Sequence, residues 1–175
     1  MKTKHIFSLL GIASAISVVG AFTIGYTASK NKDSSSERQK TASFWTNYAF
    51  GSAYYVNTRI QMAKVFVYAK DNQLEDEAIL SAFRKIDWTE MKDQCRQSVE
   101  LFEKSDKDFF SISDKFGERF KTDYLRLGRL VNNHYEFINE LSRGQMTSHS
   151  VSKWLDESHE AKDLMEIIGE EFIKD

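Results

Sequence analysis

Ile6 to Ala28 reads IFSLLGIASAISVVGAFTIGYTA, 23 consecutive residues without a charge. A helix rises about 1.5 Å per residue, so a run of this length crosses a hydrocarbon core of roughly 30 Å. Lipid offers the backbone no hydrogen bonds, and a helix is the form in which a single run satisfies its own amides. The competing reading is a cleaved secretory signal, since Ala13-Ser14-Ala15 and Val19-Gly20-Ala21 both offer small residues to a peptidase. Signal cores usually cover ~7–15 residues, and this run continues well past that. Residues 1–28 are therefore expected to be a short tail and a retained single-pass transmembrane helix in the cell (inner) membrane. The alternative is a long signal peptide whose removal leaves a periplasmic or secreted protein.

Lys2 and Lys4 precede the run, while Lys30, Lys32, Arg38 and Lys40 follow it. By the positive-inside rule this balance leans towards a cytoplasmic C-terminal domain, with the opposite, signal-anchor orientation left open. Ala13, Ser17, Ala21 and Gly25 recur every four residues. Small residues at that spacing let two membrane helices approach closely, and a span rich in small residues also shows such a line by chance.

Beyond the run, the chain contains no proline. Proline breaks the helical hydrogen-bond ladder, so its absence favours long uninterrupted helices. Ser29–Lys40 (SKNKDSSSERQK) is polar and serine-rich and reads as a linker, leaving 41–175 as the folded domain. Thr41–Lys70 is aromatic-rich, and its first 18 residues, through Thr58, carry no charge. Positions 45, 48, 52, 56, 60, 63 and 67 approximate helical spacing, which predicts a central bundle helix; the alternatives are a polar second span or a segment at the lipid interface.

Asp71-Asn72-Gln73 marks a break, followed by a helical pattern over Leu74–Ile86. Asp87 with Glu90 three residues later predicts the start of another helix, which places Trp88, Met91, Cys95, Val99 and Phe102 on one stripe. After a break at Ser105–Asp108, the longest helix is expected over Asp114–Arg143. Its apolar face is Phe116, Phe120, Tyr124, Leu127, Leu130, Val131, His134, Phe137, Ile138 and Leu141, and Gly144 closes it. Gly117 and Gly128 within it suggest close approach by a neighbour. A last helix over Ser150–Ile173, capped by Thr147 or Ser148, is expected to bury Val151, Trp154, Leu155, Ala161, Met165, Ile168 and Phe172. No segment alternates as a strand would. The expected fold is all-α: the N-terminal transmembrane helix followed by a four- to five-helix bundle.

Candidate chemistry is sparse. Lys115, Arg119, Arg126 and Arg129 fall on one face of the long helix, and Asp156, Glu160, Asp163 and Glu170 form an acidic line on the last. The basic stripe would suit phosphate, anionic lipid or an acidic partner; the plainer expectation is two solvated neighbouring faces attracting each other. The net charge of −2 carries no basic excess, so nucleic acid is not an expected partner. A di-metal site in a bundle needs Glu-x-x-His units, and none occurs. Gly-x-Ser-x-Gly and glycine-rich phosphate loops are missing too, so no catalytic, cofactor-binding or metal residue is expected. The single cysteine, Cys95, sits in apolar company and is expected to be buried and inert. His134 falls on the core stripe, where a hydrogen-bonded core histidine is expected ahead of a pH sensor or a recognition residue. Glu136 and Glu140 lie on the outer flank.

The run Leu130-Val131-Asn132-Asn133-His134-Tyr135-Glu136-Phe137-Ile138, with Gly144 and Trp154 beyond it, resembles a bacterial family of small, membrane-anchored, all-helical proteins designated a domain of unknown function. Asn133, His134, Tyr135 and Glu136 are its centre. The resemblance implies a membrane location and a helical fold, and no activity. The expected role is non-enzymatic: a membrane-tethered bundle binding another protein or itself, without cofactor. The alternative is a membrane-associated sensor or effector, including one in phage–host conflict; a metal-dependent or hydrolytic enzyme is the least favoured class.

Overall fold

With no proline to interrupt it, the first described helix, α1, runs from Ser35 to Asp71, 37 residues or about 55 Å. The computed structural model describes residues 35–72, 78, 81, 83 and 85–174. The expected transmembrane run, with Ala13, Ser17, Ala21 and Gly25, lies outside the described residues. So does most of the expected Leu74–Ile86 helix, of which Ala78, Ser81 and Phe83 are helical. Three further helices follow: α2 (Thr89–Ile112), α3 (Glu118–Ser142) and α4 (Ser148–Lys174), with a 3-10 turn at Ser113–Lys115 between α2 and α3. No described helix is long and apolar enough to cross a membrane. The described chain is all-α.

Cross-helix bonds give the topology. Asn57 donates to Gln94 at 2.7 Å and Ser98 donates to the Gly51 carbonyl at 2.7 Å, so α2 runs antiparallel to α1. Arg126–Glu160 and Asn133–Glu157 set α4 antiparallel to α3. Phe66 packs on Trp154 and Tyr48 lies by the Met165 carbonyl, which closes α4 back onto α1. The bundle is up-down-up-down.

Local chemistry explains three of the helix boundaries. The Asp87 carboxylate accepts the Thr89 amide at 2.9 Å ahead of α2. At the start of α4, Thr147 and Ser150 bond reciprocally: each hydroxyl accepts the other's amide at 3.0 Å. This satisfies two amides that a helix start leaves open. Gly144 has φ 72°, and the amides of Gly144 and Gln145 donate to the carbonyls of Leu141 and Glu140. That is the left-handed glycine closure expected at the end of α3.

Several expectations need correction. α1 begins at Ser35, inside the stretch read as linker. The Ser105–Asp108 break does not exist, because α2 continues to Ile112, and Ser105 is buried with its hydroxyl on the Phe102 carbonyl. The interruption falls later, so α3 starts at Glu118 and Lys115 sits on the turn rather than on the helix. The buried face of α1 is Phe44, Trp45, Tyr48, Ala49, Ser52, Tyr55, Thr58 and Met62, while Val67 is exposed. Leu155 is also exposed, and α4 buries Ser158 and Leu164 in addition to Trp154, Ala161 and Ile168. A Cβ at Gly117 or Gly128 would meet nothing within 4 Å, so neither marks a close approach. The close approach is at Gly51, where a Cβ would lie 2.9 Å from the Phe102 ring.

The core has two parts. One is built on Phe44, Tyr48, Phe102, Phe109, Phe120 and Tyr124; the other on Met62, Phe83, Trp88, Cys95, Phe137 and Trp154. His134 lies between them.

Candidate functional site

The sequence marked the run around His134, and the fold buries it. His134, Phe137, Ile138 and Leu141 share the inner face of α3 with Leu130 and Val131. His134 is 3% exposed. The Trp154 indole N–H donates to its Nδ1 at 2.7 Å. An indole nitrogen is only a donor, so Nδ1 is unprotonated and the neutral ring carries its proton on Nε2. Nε2 then donates to Thr58 Oγ1 at 2.9 Å, and the Thr58 hydroxyl donates to the Tyr55 carbonyl at 2.9 Å. A directed chain thus runs from α4 through α3 into α1. Tyr55 meets the imidazole edge to face at 4.9 Å, and Phe137 stacks on Trp154 at 5.3 Å.

This setting governs protonation. Burial, and then the charge of Arg59, pull His134 down to about 3. Arg59 itself bonds Ser158 of α4. Burial pushes the Tyr55 hydroxyl up to about 12 and the Cys95 thiol up to about 11. Cys95 is 1% exposed, so its thiol is protonated and shielded at neutral pH. A second buried polar knot lies further along, where the Tyr124 hydroxyl donates to Asp106 at 2.7 Å and also meets Ser105. Burial raises the Asp106 carboxyl above its usual range.

The remaining members of the run face elsewhere. Asn133 donates to the Glu157 carboxylate at 2.8 Å, tying α3 to α4. Tyr135 is half-buried and lines an open cleft of about 480 Å³ with Trp88, Lys92 and Arg96. Glu136 is exposed. The run is therefore split between core, inter-helix seam and surface.

The basic stripe is likewise divided. Arg126 forms a two-point pair with Glu160, at 2.7 and 2.8 Å, which joins one member of the acidic line to it. That bond holds the Glu160 carboxyl below its usual range, with a further contribution from the exposed Arg129. Arg119 lies 3.7 Å from Asp123 on its own helix, and Lys115 pairs with Glu37 of α1 at 3.1 Å. The four cations do not converge on one point. No group of three His, Cys, Asp or Glu side chains able to hold a metal occurs among the described residues.

Sequence reasoning placed His134 inward but missed its partners. Thr58, and likewise Ser158, which bonds Arg59, are polar residues at core-facing helical positions, and that placement marks each as bonded inside the core without naming its partner. In class, the described chain is an all-helical bundle with a buried, internally bonded histidine. No family model, curated protein or solved structure matches it.

Proposed function

We propose that this chain is a membrane-tethered helical bundle that works as a protein-binding or scaffold module and not as an enzyme. The observation that supports this most directly is the closed bonding of His134. A general base or metal ligand needs an open nitrogen, whereas one ring nitrogen here accepts from Trp154 and the other donates to Thr58. The tether is supported by the 23 uncharged residues from Ile6 to Ala28.

Crosslinking of the full chain in its native membranes is the test. It should trap a covalent protein complex, and recovery of free monomer alone at natural abundance would reject the binding role. A reporter fused to the C-terminus tests the side. The basic residues after the run favour a cytoplasmic bundle, and activity of a periplasm-dependent reporter would reverse that reading.

A further inference from the structure

The four seams of the bundle are not equally fastened. α1 and α2 meet at Gly51, where Phe102 lies against the glycine and Ser98 donates to its carbonyl. α2 and α3 share the Tyr124 hydroxyl, which reaches both Ser105 and Asp106. α3 and α4 are joined by Trp154–His134, Asn133–Glu157 and the two-point Arg126–Glu160 pair. Among the described residues, α1 and α4 share no comparable set, and their backbones hardly approach. The Tyr48 hydroxyl stands 3.5 Å from the Met165 carbonyl, beyond the roughly 2.5–3.0 Å of a firm O–H···O bond. Phe66 meets the Trp154 ring at 5.4 Å, and Arg59 bonds Ser158. That last tie joins a half-buried guanidinium to a neutral hydroxyl, a bond that water replaces at little cost. At the middle of the seam α4 presents Ser158 and Ala161, both small, so parting there uncovers little apolar surface of α4.

We propose that the α1/α4 seam is the opening edge of the bundle, with α4 rolling outward on α3 while the other three seams stay closed. The three ties from α4 to α3 form the hinge. Trp154, Glu157 and Glu160 follow one another at three-residue steps, so they lie along one side of α4 and survive a roll about that side. Tyr55, Ser158 and Ala161, each buried in the closed bundle, are what the roll brings to water. Local openings draw on the least fastened contacts and cost less than global unfolding. Neither the membrane tether nor a partner is needed for this one.

Thiol labelling of the full chain is the test. Ser158→Cys and Ala161→Cys report the α1/α4 seam, and Ser98→Cys and Ser105→Cys, equally buried, report the α1/α2 and α2/α3 seams. Each variant is first matched to the native chain by its urea midpoint. Maleimide labelling is then followed at urea concentrations below the transition, by peptide mass so that Cys95 is counted apart. Labelling at 158 and 161 is expected at least tenfold faster than at 98 and 105. It should also be nearly independent of urea, because a local opening exposes little surface. Equal rates at all four positions overturn the proposal, as do rates at 158 and 161 that climb with urea as steeply as those at 98 and 105. A fast 158 beside a slow 161 overturns it too, since loss of the Arg59 bond would then be the cause; Ala161→Cys leaves that bond in place.

Discussion

Because the Trp154 indole can only donate, protonating His134 would set two N–H groups against each other at Nδ1, in a place water does not reach. In the unfolded chain the ring titrates near 6.5, and in the fold at about 3. Above pH 6.5 both states hold a neutral ring and the contribution to stability is complete. As pH falls from 6.5 towards 3, the unfolded chain takes up a proton that the folded chain refuses. Stability should then fall by up to about 1.4 kcal/mol per pH unit from this group. Urea midpoints between pH 7.5 and 4.5 should drop less steeply for His134→Gln than for the native chain, because surface carboxylates titrate alike in both. Equal slopes would show that the histidine is not the coupled group. Trp154→Phe preserves most of the packing on Phe137 and deletes one donor. It should destabilise by about 1–3 kcal/mol, the usual penalty for orphaning a buried polar atom, and raise the His134 pKa measured by NMR titration.

Glycines separate the helices by what surrounds them. Gly51 faces Phe102 and Leu101 at contact distance, and its carbonyl takes the Ser98 hydroxyl, so α2 approaches α1 there as closely as side chains allow. Gly51→Leu should lower stability by about 1–3 kcal/mol or more, the range for overpacking a tight core. Gly128 lies on α3 with open space around it. Gly128→Ala should therefore stabilise by roughly 1 kcal/mol through helix propensity alone. Chemical denaturation of both variants checks the pair, and a gain at Gly51 or a loss at Gly128 would contradict the packing described. The same contrast explains how much was legible beforehand. On α3 the apolar residues from Phe120 to Leu141 keep strict helical spacing among polar neighbours, so periodicity alone identified nine buried positions. On α1 aromatic residues point in every direction, and the close contact at Gly51, rather than the pattern, decides which face is buried. His134 was legible as a core residue because it shares the α3 stripe. Thr58 and Trp154 were not legible as its partners, being 76 and 20 residues away in sequence. Nothing local records such pairs.

Across the whole molecule, two aromatic-rich core regions are held on shared helices instead of forming separate units. α1, α2, α3 and α4 each contribute to both, and the His134 chain joins Trp154 of one region to the Tyr55 backbone of the other. Surface ion pairs add little to this: Arg126 and Glu160 are each 41% exposed, and such pairs are worth about 0–1 kcal/mol. Cohesion therefore rests on burial and on the polar layer between the regions. The tryptophans are placed to test it, with Trp45 in one region and Trp88 and Trp154 in the other. Variants retaining Trp45 alone or Trp154 alone, the others replaced by Phe, should each give one urea transition whose fluorescence midpoint coincides with its own circular dichroism midpoint. Phe109→Ala, a cavity in the first region, should cost about 3–5 kcal/mol and shift both reporters together. Were the Trp154 signal to hold its midpoint while the Trp45 signal moved, the regions would be unfolding separately, and the His134 layer would be a seam between them and not a bond.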